Sequence, residues 1–144
     1  MNRKIATVAF SLAFASMLLS ACGEGTGAAA YKDGTYIGKS SEDDRGAYGE
    51  ATITIQNSQI TDCQFVTWQK DGSKKDENYG KVNGAISNPD YYEMAQLAVK
   101  AMEEYAQKLV EVQNLEGVDV ISGATISHDQ FQEAVRNALE EAQK

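Results

Sequence analysis

A chain of 144 residues with 42% hydrophobic content and a single proline has room for one domain around a modest core. Its formal charge of −8 argues against a nucleic-acid partner and against adhesion to anionic lipid headgroups. One histidine and two cysteines offer no transition-metal cluster, and once Cys22 is assigned to the role below, Cys63 has no disulfide partner.

Residues 1–21 read as an export signal. Arg3 and Lys4 supply the positive region, and Ile5 to Leu19 supply an apolar run shorter than the roughly 20 residues a spanning helix needs. Leu19-Ser20-Ala21-Cys22 resembles a bacterial lipobox, which implies cleavage before Cys22 and a diacylglycerol on its thiol. Two acyl chains suffice for stable anchoring, so no transmembrane helix is required afterwards. Residues 22–30 continue as the lipid-bearing cysteine and a Gly/Ala/Thr-rich tether with a reach of about 15–18 Å. The Gly23-x-Gly25-x-Gly27 spacing follows no strand and is set aside as a dinucleotide signal.

The folded domain is expected over 31–142. Thr35 to Gly38 forms a first short strand; Ala51, Ile53 and Ile55 then alternate with Thr52, Thr54 and Gln56, the period of a strand with one buried face. Asn57-Ser58 is a turn pair leading into a third strand from Ile60 to Trp68, so an antiparallel hairpin is the simplest connection. Cys63 and Phe65 share one face of that strand, which makes Cys63 a small buried hydrophobe. Glu42-Asp43-Asp44 lacks calcium-loop spacing and reads as a solvated loop, as does Lys70 to Lys81. A helix begins at Asn88-Pro89-Asp90, with Asn88 as cap, Pro89 in the first position and Asp90 complementing the dipole. Ala95, Ala98, Val99, Met102, Tyr105, Ala106, Leu109 and Val112 carry its apolar stripe to about Val112.

Asp119 to Thr125 then forms a tight small-residue turn ahead of a second helix. Ser127 is placed as N-cap, Gln130 as its capping-box partner, and Ile126 and Phe131 as the flanking staple. Phe131, Ala134, Val135, Ala138, Leu139 and Ala142 form the packing face, opposite Asp129, Glu133, Arg136, Asn137 and Glu140. The expected class is α+β, a small curled antiparallel sheet packed against two helices, with the turn at the helix–sheet border. Unpaired N–H groups at a helix start favour an anionic group nearby, and Gly123 and Ala124 leave the approach to Thr125 open.

The run Asp119-x-x-Ser122-Gly123-Ala124-Thr125 resembles the flavinylation motif of the FMN-binding domain family, which includes extracellular electron-transfer flavoproteins and subunits of ion-pumping redox complexes. Asp33-Gly34-Thr35-Tyr36 is similar to the opening of these domains, and Glu50 to Trp68 to their strand pair. The resemblance implies that Thr125 carries covalent FMN through a phosphoester, with Asp119, Ser122, Gly123 and Ala124 as recognition positions. A separate magnesium-dependent flavin transferase using FAD would make the bond, so no catalytic base is required of this chain. His128 is a solvent-facing residue of the helix start or a phosphate contact, and Tyr36, Trp68, Tyr91 and Tyr92 are candidates for core packing or for stacking on the flavin ring.

Motif and anchor together imply a lipid-anchored flavoprotein on the extracytoplasmic face of the cell membrane. It would relay electrons from a quinone-linked membrane dehydrogenase to an external acceptor, as a carrier rather than a stand-alone enzyme. The competing readings are the flavin-bearing subunit of a dedicated extracytoplasmic reductase and a flavin-free surface binding lipoprotein.

Overall fold

The computed structural model describes residues 30–144. The export signal, Cys22 and the tether up to residue 29 lie outside the described residues. The elements run β1 (Gly34–Lys39), β2 (Tyr48–Gln56), β3 (Gln59–Trp68), α1 (Pro89–Val112), a 3₁₀ turn (Leu115–Gly117) and α2 (Thr125–Gln143). The strands form one open antiparallel sheet in the order β1-β2-β3.

Alternation in β2 decides which side of the sheet is covered. Ala51, Ile53 and Ile55 point inward and are buried, while Thr52 and Thr54 stay half-buried on the other face. Asn57 and Ser58 both take positive φ, 53° and 59°, as the tight turns that match strand twist require. A register shift opposite Thr54/Ile55 leaves Thr61 of β3 unpaired as a bulge.

Both helices pack on the covered face, α2 over β1 and β2, α1 over β3. Asn88 caps α1 as expected, its side chain accepting from Tyr91 N–H at 3.1 Å, and Pro89 occupies the first turn. The far end of α1 stops at Gln113 in the left-handed region, where the side-chain amide donates to Ile60 O at 2.7 Å and accepts from Ile60 N–H at 2.8 Å. Every apolar position expected on α2 is buried: Phe131, Ala134, Val135, Ala138, Leu139 and Ala142. Phe131 lies at the centre, edge-on to Phe65 at 5.2 Å and stacked with Tyr105 at 5.6 Å.

The start of α2 differs from expectation. The helix begins at Thr125 with Ala124 in the N-cap position and no side-chain cap, because His128 N–H already bonds to Ala124 O at 3.0 Å. Ser127 is therefore inside the helix and buried, and Gln130 spends its amide on Ala47 O at 2.9 Å instead of closing a capping box. Nor does the staple form, since Ile126 is 63% exposed while Phe131 is fully buried.

Candidate functional site

Thr125 is the first residue of α2 and is exposed. Because the helical ladder begins at His128, the N–H groups of Thr125, Ile126 and Ser127 have no intrahelical partner. Thr125 thus stands at the positive end of the helix dipole, where the donors are unpaired. Gly123 turns the chain into this position with φ +84°, and an added Cβ there would lie 2.9 Å from Leu97 Cδ2 on α1.

Two rings hold the turn from beneath, Tyr105 buried and His128 half-buried. Tyr105, on α1, accepts from Ile121 N–H at 2.9 Å and donates to Ala124 O at 3.2 Å through its hydroxyl. The His128 Nε2 stands 2.8 Å from Val118 O, and its ring meets Tyr105 edge-on at 5.2 Å. Burial raises the Tyr105 phenol above its ordinary range, so it stays protonated and able to donate.

Beside the turn lies a cleft of about 550 Å³. Gly123, Ala124, Thr125, Ile126 and Ser127 form one wall, Tyr91, Met94, Ala95 and Ala98 of α1 another. The opposite side is made by Asp43, Asp44, Arg45, Lys75 and Tyr79 from two loops. Its size falls within the range of small-molecule and cofactor sites, roughly 300–1,000 Å³, and its walls are aromatic and aliphatic with a few charges. Lys75 lies over the Tyr79 ring, 5.2 Å from the centroid. Burial lowers the Lys75 ammonium pKa; Asp43 opposes that shift and Arg45 adds to it. The Tyr79 phenol is raised, by burial first and then by the neighbouring Tyr91 hydroxyl.

The expected site residues divide into two groups. Gly123, Ala124 and Thr125 meet at the cleft, whereas Asp119 and Ser122 are exposed on the turn and outside its lining. His128 was expected on a solvent-facing helix start or at a phosphate; it is turned inward to Val118 and does not line the cleft. Of the stacking candidates, only Tyr91 lines it. Tyr92 donates to Glu77 O at 2.9 Å, Tyr36 to Lys32 O at 3.0 Å, and Trp68 packs under Lys74.

Sequence reasoning missed Arg45, Lys75 and Tyr79, because both loops read as merely solvated. Asp43 in particular organises its loop, its carboxylate accepting from Arg45 N–H and Ala47 N–H, both at 2.9 Å. The sequence signal was an aspartate two positions before Arg45 and three before Gly46, the composition of an Asx turn.

The family model for the FMN-binding domain matches residues 46–140. That span holds β2, β3, α1, α2 as far as residue 140 and the whole Asp119–Thr125 turn, and the chain belongs to the FMN-binding domain family. A crystal structure of a Clostridium perfringens protein is similar in fold, with a TM-score of 0.62 at 23% identity over 78% of this chain and 88% of that one. A solution NMR structure of a Clostridium thermocellum protein is 26% identical over 78% of this chain and 93% of that one, with a TM-score of 0.44. No curated protein matches the chain.

The residues present fit FMN. An exposed hydroxyl and unpaired helix N–H groups suit its phosphate, and a cleft walled by Tyr79, Tyr91 and Met94, with Arg45 and Lys75 as cations, suits a planar ring carrying carbonyls.

Proposed function

We propose that Thr125 carries FMN through a phosphoester and that the chain is an extracytoplasmic electron carrier held to the membrane by a lipid on Cys22. The observation that supports the attachment point is the placement of Thr125, exposed at the first position of α2 and lining the cleft. When bound, FMN supplies one- and two-electron chemistry. The chain's own residues would hold the group: the α2 N-terminus its phosphate, Tyr79 and Tyr91 its ring, with Arg45 and Lys75 as the cations of the cleft that would favour the negatively charged reduced form.

Covalent attachment suits a protein outside the cytoplasm, where a dissociated flavin is lost. The lipobox-like Leu19-Ser20-Ala21-Cys22 supports the anchor, and no helix among the described residues is long and apolar enough to cross a membrane. A quinone-linked dehydrogenase in that membrane is the proposed donor, and an oxidant outside the cell the acceptor.

Intact-mass measurement of chain co-produced with a flavin transferase tests the reading. The expected result is one added FMN moiety, yellow fluorescence surviving a denaturing gel, and loss of both in Thr125→Ala. Flavin that survives denaturation in Thr125→Ala would refute it.

A further inference from the structure

We infer that the Tyr105 hydroxyl is the positioning group for modification of Thr125, holding residues 121–124 in the shape from which the threonine is presented to the transferase. The inference rests on the reading of Thr125 as attachment point and concerns a residue outside the motif.

The turn has few restraints of its own. Between the 3₁₀ turn and α2, one backbone hydrogen bond closes it, Ala124 N–H to Ile121 O at 3.0 Å. Asp119, Val120, Ser122 and Gly123 are exposed, and Gly123, at positive φ, is the residue with the most backbone freedom. What fixes the shape comes from below. Tyr105 is 1% exposed and wedged between Phe131 and His128, so its ring has no room to turn and the hydroxyl position is set by the core. That hydroxyl bridges both ends of the turn, accepting from Ile121 N–H and donating to Ala124 O, the carbonyl immediately before Thr125. Ala124 O keeps a second partner in His128 N–H, but no other backbone group pairs with Ile121 N–H.

The transfer step balances without an oxidant. Thr125 Oγ1 bonds to the FMN-side phosphorus of FAD, the bond from that phosphorus to the bridging oxygen breaks, AMP leaves, and the hydroxyl proton is released. It requires the transferase to close around the turn, so a turn only fractionally in the competent shape raises the apparent KM in proportion and leaves kcat intact.

The test is steady-state flavin transfer to the full chain, using purified transferase, FAD and magnesium, with covalent fluorescence as readout. Tyr105→Phe keeps the ring and removes both hydrogen bonds of the hydroxyl, of which only the one to Ile121 N–H has no substitute; the expected result is a KM for the acceptor chain raised about tenfold, the equivalent of that one unreplaced hydrogen bond, with kcat retained. Cys63→Ala, a core change on β3 away from the turn, should lower stability without moving KM, which separates positioning from general weakening. An unchanged KM in Tyr105→Phe, with wild type modified normally, overturns the inference. Wild type that is never modified overturns the attachment reading, and the inference with it. Should Tyr105→Phe fail to fold, amide exchange in wild type decides: Ile121 N–H must exchange more slowly than Val120 and Ser122, and equal rates overturn the proposal.

Discussion

Gln130 on α2 donates through Nε2 to the carbonyl of Ala47 at 2.9 Å, across 83 positions of sequence. Ala47 also closes the Asp43 loop, its N–H donating to the Asp43 carboxylate and its carbonyl accepting from Asp43 N–H at 2.7 Å. One side chain therefore links the helix that bears Thr125 to the loop that bears Arg45. The two walls of the cleft are held in register through Gln130.

Gln130→Ala should loosen that link. Ala47 O retains its bond from Asp43 N–H, so the loss is one buried hydrogen bond plus truncated packing, about 1–2 kcal/mol. A lower urea midpoint at unchanged slope is the expected result, accompanied in flavin-loaded protein by brighter, less anisotropy-restricted emission as the cleft widens. Stability equal to wild type would show that the loop is fixed by Asp43 without help.

Gly38 on β1 marks the closest approach of sheet and helix. A Cβ there would fall 2.0 Å from Ala134 O and 2.4 Å from Ala138 N, both backbone atoms of α2, which a rotamer change cannot relieve. Gly38→Ala must push the helix off the sheet, at a cost of about 3 kcal/mol or more. Chemical denaturation of Gly38→Ala checks this, and because β1 lies before the family match at residue 46, it also tests whether that strand belongs to the cooperative domain.

The difference between what could and could not be read from the residues follows from the range of the interactions. Asn88-Pro89 set the start of α1 because capping is local, and Ala51, Ile53 and Ile55 set the buried face of β2 because alternation is local. The α2 start was misplaced because Ser127 and Gln130 have the composition of a capping box, yet Gln130 finds its partner on a distant loop. Tyr105 was legible as core, but nothing nearby announced that its hydroxyl would reach the turn 16 and 19 positions on. Arg45, Lys75 and Tyr79 face Thr125 only because two loops fold over the same end of α1, and loop packing leaves no periodic trace. His128 was drawn toward the phosphate by proximity in sequence, while helix rotation turned it to Val118.

Cys63 should be chemically silent in the folded protein. Burial, and then the neighbouring Asp62 charge, push its thiol up to about 12 from an ordinary 9.0. Because the folded value is the higher one, the stabilising contribution is complete below pH 9.0 and is lost as pH climbs toward 12. At pH 8, alkylation by a thiol reagent should follow global unfolding and accelerate sharply in urea. Fast native-state labelling would place the thiol outside the core.

The Asp33-Gly34-Thr35-Tyr36 opening has a part in the fold. The Asp33 carboxylate accepts from Ser58 N–H at 3.1 Å, Ser58 Oγ donates to Tyr31 O at 3.1 Å, and the segment before β1 is thereby latched to the β2–β3 turn. Hydrogen bonds from Ser58 and then Asn57 hold the Asp33 carboxyl below its ordinary 3.8. With the folded value the lower one, its stabilisation is present above pH 3.8 and disappears as pH falls through the depressed value. Asp33→Asn should therefore melt below wild type at pH 7, with the gap narrowing under acid conditions, while covalent flavin loading stays at the wild-type level. A variant that folds normally but takes up no flavin would move Asp33 from the scaffold to the recognition surface.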